Sequence, residues 1–240
     1  MSTRILAMDT ATEACSAALW VDGEISARFV EAGRHHTEQL LPMVDALLAD
    51  AQLKMSQIDA FACGIGPGSF VGVRIAVGVC KGLALALDRP CVARNSLQTI
   101  ADQCFTENAG ASVAVALDAR MGELYYARYS QAESGASAEL SAPCVGPPDM
   151  VEQAQASDFL AGRGWLAYPA LPQAHPQAQW ARDCELPQSR FMLAPAAQAL
   201  ATQQGLLSAD QLEPMYLRNQ VALTLKQQRA SKPTRTGVAP

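Results

Sequence analysis

Histidine, aromatic residues and charge are all in short supply in this 240-residue chain. The three histidines are His35, His36 and His175. Adjacent side chains point in different directions on a helix or a strand, so the His35–His36 pair makes a poor chelate. His175 lies alone in a Pro/Gln-rich stretch. No histidine-based metal set, Ser-His-Asp triad or Cys-His pair can be assembled from them. Aromatics amount to 6%, which suits close-packed helices and parallel strands better than an aromatic-rich β-sandwich. Charged residues reach only 17%, but half the chain is apolar, so a buried core is expected and disorder is not. Cys-x-x-Cys pairs are absent. Seven scattered cysteines, an odd number, argue against a disulfide framework and against zinc. Four of them sit in apolar stretches and read as small core residues. The first eight residues lack a charged-then-apolar pattern, so no export is expected. The longest apolar run, 71–87, is broken by Arg74 and Lys81 and reads poorly as a membrane span. A soluble, cytoplasmic protein without a membrane partner is the expectation.

The net charge of −5 is unevenly spread. From Pro214 onward there are five basic residues (Arg218, Lys226, Arg229, Lys232, Arg235) and no acid, leaving the preceding body at −10. Such a body is a poor stand-alone nucleic-acid binder, because phosphate contacts require a basic face. Residues 226–240 have no apolar periodicity and read as a disordered basic tail.

Hydrophobic patterning predicts strands at 4–9, 15–21 and 24–31, with Asp22-Gly23 as a hairpin turn. A helix follows over about 36–51, striped by Leu40, Val44 and Leu47 and containing Pro42, which either shortens or kinks it. A strand at 58–63 runs into the glycine cluster 64–72, and a long apolar helix follows at 71–87. Residues 91–93, 113–117 and 123–129 read as strands, 96–107 as a helix and 131–148 as loop. Residues 158–165 read as a strand entering a turn, and 196–204 as a helix capped by Gly205. Strand, carboxylate, turn, strand occurs twice, at Asp9 and at Asp118, a faint sign of two related halves.

Several positions carry two readings. The cluster Gly64, Gly66, Gly68, Gly72 lies between a strand and a helix, the geometry of an anion-binding loop. It fits neither standard phosphate signature, and a tight turn with close backbone approach explains it equally well. Asp9 with Thr10 and Thr12 could position a metal-bound phosphate, or close an Asx-type turn. Asp118, Arg120 and Glu123 could be catalytic, or could brace a domain junction. The 71–87 helix is apolar nearly all round, with Gly78 and Gly82 four apart. It is either central in the core or packed on its outer side by another subunit, and a chain of this length has little material to cover both sides.

Four stretches together resemble one family: Asp9 to Trp20, Gly66-Pro-Gly-Ser-Phe-Val-Gly-Val-Arg through Lys81-Gly82, Asp118-Ala-Arg-Met-Gly-Glu123, and Glu213-Pro-Met-Tyr-Leu-Arg-Asn219. The chain resembles the bacterial TsaB (YeaZ) family, subunits of the machinery that makes threonylcarbamoyladenosine at position 37 of tRNA, within the TsaD/Kae-type glycoprotease-like group. The match runs from Arg4 to Tyr129 and returns at 213–219. The resemblance implies an α/β, actin-like and Hsp70-like ATPase fold with two lobes, each a mixed sheet flanked by helices. The expected lobes are 1–109 and 110–194, with a helix at about 195–225 packing back on the first.

The resemblance further implies a scaffold without catalytic residues, metal or cofactor of its own. ATP and metal would belong to partner subunits: the catalytic paralogue TsaD and, through the pair, the ATPase TsaE. The isolated chain would self-associate as a homodimer and meet tRNA only within the complex. The implied interface comprises His36, Leu40, Leu41, Val44, Leu47 and Leu48 on the first helix, and Val71, Arg74, Ile75, Gly78, Val79 and Gly82 on the second. Asp9, Thr10, Thr12, Gly66, Gly68 and Asp118 would be vestiges of phosphate loops. Departures from the catalytic pattern agree. Ser96 and Ile100 stand where catalytic relatives carry two metal-binding histidines, and Ala11 stands where the first phosphate loop wants glycine. Gly162-Arg-Gly164 is a thin candidate for an adenosine loop. The competing expectations are a metal-dependent peptidase, opposed by the histidine count, and a small-molecule kinase of the same fold, opposed by Ala11.

Overall fold

The computed structural model describes residues 3–132, 136–152 and 157–218. Strands β1 (Arg4–Asp9), β2 (Ala14–Val21) and β3 (Glu24–Glu31) form a meander whose second hairpin, β2–β3, turns at Asp22 and Gly23, both at positive φ. Helix α1 (His36–Asp50), β4 (Ala60–Gly64), α2 (Phe70–Leu87) and β5 (Cys91–Arg94) follow, β4 and β5 running parallel to β1. The second half repeats the scheme. Helix α3 (Ser96–Glu107) leads into β6 (Ser112–Arg120), β7 (Glu123–Gln131) and β8 (Ser137–Gly146), then α4 (Asp149–Glu152), β9 (Phe159–Ala161), α5 (Gly164–Ala167) and β10 (Gln179–Trp180). Helix α6 (Leu193–Thr202) ends the regular structure.

The two five-stranded sheets have one topology. The orders are β3-β2-β1-β4-β5 and β8-β7-β6-β9-β10, each with two antiparallel pairings on one side of the central strand and parallel pairings on the other. The doubled strand-carboxylate-turn-strand pattern is the trace of this duplication. It is the two-lobed arrangement of the actin-like ATPase fold.

The central strands are apolar without alternation because both faces are covered. In β1, Leu6 and Met8 face the core shared with α1 and α2, while Ile5 and Ala7 face Met192, Leu193 and Ala196 at the start of α6. In β6, Val113, Val115 and Leu117 pack on α3, and Ala114 and Ala116 pack on Trp165. Helix α3 therefore belongs by packing to the second sheet, although sequence order places it at the end of the first lobe.

Ser69 caps α2, its hydroxyl accepting from Gly72 N at 3.3 Å, and Asp88 in the left-handed region ends it just before Pro90. By length and apolarity α2 could cross a membrane, but it buries Gly72, Val73, Ala76, Val77, Cys80 and Ala84 against the first sheet. Helix α1 runs unbroken through Pro42, which is exposed, so the lost backbone bond faces water.

Three expectations are corrected. Residues 137–146 form a strand, not a loop. As an edge strand β8 tolerates Pro143 and a polar composition, and its register with β7 shifts around Arg128. Helix α6 stops at Gln203, which itself takes the left-handed conformation that Gly205 was expected to supply. Beyond it the chain to Arg218 contains only one short 3-10 turn at 209–211, so the helix expected over 195–225 is confined to its first part. Residues 219–225 and the basic tail 226–240 lie outside the described residues.

Candidate functional site: a clasped loop, a bridged cleft and an open helix face

The carboxyl end of β1 delivers Asp9 into the core, 1% exposed. Its Oδ1 accepts from Ala11 N at 2.7 Å, an Asx-type turn. Its Oδ2 has no hydrogen-bond partner, although the Ser96 hydroxyl lies near enough to ease the carboxylate. Burial dominates and pushes the Asp9 carboxyl up to about 7.

The glycine cluster packs directly onto this turn. A Cβ on Gly64 would lie 1.9 Å from Asp9 Oδ2, one on Gly68 2.0 Å from Ala11 O, and one on Gly72 2.1 Å from Thr10 O. Ser69 N donates to Ala11 O at 2.6 Å. The Thr10 hydroxyl donates to Gly72 O at 2.7 Å and accepts from Ala76 N at 3.1 Å, inserting itself between two groups of α2 that ordinarily bond each other. Thr12 closes a local turn by accepting from Ala14 N at 3.2 Å. Of the two readings of the glycines, close backbone approach is the one the geometry satisfies. Ala11 N, Ser69 N, Gly72 N and the Thr10 hydroxyl, four donors a phosphate loop would offer, are bonded within the chain.

The second lobe repeats the turn at lower burial. Asp118 Oδ1 accepts from Arg120 N at 2.8 Å, and its Oδ2 pairs with the Arg120 guanidinium. Arg120 also reaches Glu13 of the first lobe at 2.8 Å. Asp118 and Arg120 thus brace a lobe junction, the second of their two readings. Arg163 bridges the lobes as well, gripping both oxygens of Glu31 at 2.6 and 2.7 Å and Glu185 at 3.0 Å. That grip holds the Glu31 carboxyl below its ordinary range and the Arg163 guanidinium above its own. The flanking Gly162 and Gly164 press on the β6 backbone at Ala116, so Gly162-Arg-Gly164 is a packing turn that aims an arginine across the cleft.

Between the lobes lies a cleft of about 930 Å³, lined by Ala11, Thr12, Phe70 and Val71 from the first lobe, Leu117, Tyr125 and Leu166 from the second, and Met215 to Arg218 across its mouth. Among the described residues no three His, Cys, Asp or Glu side chains are placed to hold a metal ion. Ser96 and Ile100 are fully buried in the core. The three histidines are scattered. His35 pairs with Glu38, His175 packs edge-on against Trp165, and His36 is buried at the cleft with its pKa lowered chiefly by that burial. Six of the seven free cysteines are buried, Cys144 being exposed.

The expected interface residues divide in two. Leu40, Val44, Leu47 and Leu48 are buried in the chain's own core and His36 is buried at the interlobe cleft, so their side chains cannot reach a partner over α1, and the sequence expectation for these five is corrected. Their stripe, read as a docking face, is the inward face of α1. Leu41 remains exposed. On α2 the stripe runs outward. Val71 is 63% exposed, Arg74, Gly78 and Gly82 are exposed, and Ile75 and Val79 are half-buried. The sequence reading left out two members of this face, Phe70 at 61% and Leu85 at 69%. Periodicity could have supplied both, since they lie on the same side as Arg74 and Gly78. It could not have supplied Arg163, Glu31 and Glu13, whose partners lie more than a hundred residues away.

A family model described as TsaD: tRNA N6-adenosine threonylcarbamoyltransferase matches residues 30–174. The tRNA threonylcarbamoyladenosine biosynthesis protein TsaB of Escherichia coli is 40% identical over 223 residues, covering 91% of this chain and 96% of its own length. The Haemophilus influenzae protein of the same name is 36% identical over 226 residues, covering 90% and 94%. The solved structure of YeaZ from Pseudomonas aeruginosa matches with a TM-score of 0.81 at 38% identity, covering 90% of this chain and all of that one. With two lobes of one topology and likeness to these proteins over nine-tenths of its length, the chain belongs to the TsaB (YeaZ) family of tRNA threonylcarbamoyladenosine biosynthesis proteins.

Proposed function

We propose that this member of the family is a scaffold subunit without catalytic activity of its own. It binds and activates the catalytic paralogue TsaD, which transfers threonylcarbamoyl to N6 of adenosine 37 in tRNAs reading codons that begin with A. The observation that carries the reading is the outer face of α2: a ridge from Phe70 to Leu85 that is apolar, exposed and floored by glycines. A cation, Arg74, is its main polar member. An exposed apolar ridge of this length favours a permanent partner. Gly78 and Gly82 have open space above them, so a partner helix can approach closely.

The clasped Asp9 loop supports the non-catalytic part of the reading. With Ala11 N bonded to Asp9 and the Thr10 hydroxyl bonded to Gly72 O and Ala76 N, a nucleotide phosphate taking these donors would have to displace them, the Thr10 bonds being ones that join the turn to α2. ATP and metal then belong to the partners, TsaD and, through the pair, TsaE. Alone, the same α2 face pairs two copies as a homodimer; tRNA is met only in the complex, in the cytoplasm. Reconstitution tests this. TsaD supplied with threonylcarbamoyl donor and tRNA should form product only when this chain is added, and the chain alone should form none. Turnover by the chain alone, or product formation by TsaD that is indifferent to it, overturns the reading.

A further inference from the structure

After α6 the chain returns to the cleft. Leu212 is fully buried in the first lobe's core. Met215 N donates to Ile65 O at 2.8 Å, on the loop that precedes α2. Three residues later the chain is attached to the other lobe. Arg218 donates to the carbonyl oxygens of Ala119 and Arg120 at 3.1 and 3.4 Å, pairs with the Glu123 carboxylate and contacts Met121 Sδ at 3.5 Å. One guanidinium thus caps the whole β6–β7 turn, where Arg120, Met121 and Gly122 all hold positive φ. Its fork geometry suits several acceptors at once, which an ammonium cannot match.

Between these two anchors Tyr216 points outward, 52% exposed. Its ring lies 4.9 Å from Arg74 Cζ, and the Phe70 ring lies 3.4 Å from the same atom. Arg74 also donates to Phe70 O at 2.7 Å. An arginine held between two aromatic rings is well fixed, and this one sits at the head of the exposed α2 ridge. A single short segment therefore touches the first lobe, the second lobe and the ridge.

We propose that residues 212–218 are a strap that locks the two lobes together and presets the head of α2 for its partner. Arg218 is the positioning residue on the second lobe, and Tyr216 is the contact that carries lobe position to Arg74 and Phe70. The docking half of this inference rests on the scaffold reading above; the locking half does not. Because coupling between sites is reciprocal, whatever loosens the strap weakens pairing by the same factor that pairing tightens the strap.

Hydrogen exchange on the full chain alone, followed by calorimetric titration with TsaD, tests both halves. In Arg218→Ala, exchange should quicken at 119–123 and also at 65–74, which Arg218 does not touch. Pairing with TsaD should weaken by about tenfold, the size expected of coupling between a lock within the chain and a docking face. Arg218→Lys should recover part of both effects. Faster exchange confined to 119–123, with pairing unchanged, overturns the strap. If the unaltered chain fails to pair with TsaD, the scaffold reading falls while the exchange at 65–74 still decides the locking half. Should Arg218→Ala not fold, Tyr216→Ala substitutes for it. It removes an exposed ring, and should weaken pairing without altering exchange at 119–123; unchanged pairing overturns the coupling.

Discussion

Asp9 and Asp118 close the same turn in the two lobes, each accepting through Oδ1 from the amide two residues on, at 2.7 and 2.8 Å. Their surroundings have diverged. Asp118 stays partly exposed with an arginine beside it, whereas Asp9 is sealed under Gly64 and Ser96. Both turns border the interlobe cleft, Ala11 and Thr12 lining it from the first lobe and Asp118 and Arg120 from the second. Here the first has been closed over by the glycine loop, and the second has become the seat of bridges to Glu13 and Arg218.

The sealed carboxyl has a signature in stability. Its folded-state pKa of about 7 lies well above the ordinary carboxylate value of 3.8, so between these limits the folded protein holds a proton there that the unfolded chain releases. Stability from this group is complete below about pH 4, falls as pH rises towards 7, and is flat beyond; the two limits differ by roughly 4 kcal/mol. Asp9→Asn mimics the protonated form. Thermal unfolding should show the variant more stable than the parent at pH 8, with a clearly smaller gap at pH 5. Equal gaps at both pH values contradict the burial argument.

The glycines divide by what lies above them. Gly68→Ala and Gly72→Ala force a methyl into the backbone of Ala11 or Thr10 and should destabilise by about 2 kcal/mol or more. Gly78→Ala and Gly82→Ala meet nothing within 4 Å and should stabilise by up to about 1 kcal/mol each through helix propensity. Urea unfolding of the four variants checks the sign of each.

Thr10→Val keeps the shape and removes the hydroxyl. It leaves Gly72 O and Ala76 N without their inserted partner and should lower stability by about 1–3 kcal/mol. An unchanged urea midpoint would mean that α2 simply closes its own ladder.

Much of this architecture was legible in the residues. Period-2 and period-3.6 patterns placed β1, β3, α2 and α3 to within a residue, because each has a strong apolar stripe or run. The duplicated turn was visible as a repeated carboxylate at a strand end. Strand β8 was not, since its stability comes from pairing with β7 and its own side chains carry no pattern. At the site, Asp9 and the glycines were found, but periodicity cannot separate an inward stripe from an outward one. Leu40, Val44 and Leu47 look like Ile75 and Val79 on paper, and only tertiary packing tells which is core. Cross-lobe pairs such as Arg163–Glu31 leave no local trace at all.

The outward stripe should be open to separation from folding. Gly78→Leu and Gly82→Leu place bulk in open space, so circular dichroism and melting should match the parent. Pairing with TsaD should be lost. Intact pairing in the double variant would move the interface away from the middle of α2.

The central claim is that the outer face of α2 exists to be covered. Size-exclusion chromatography with light scattering, on this chain alone and mixed with TsaD from the same source, tests it most directly. A homodimer that gives way to a one-to-one heterodimer is the predicted result. A monomer that stays a monomer beside TsaD would contradict the scaffold account and return Asp9 and the cleft to consideration as a site of chemistry.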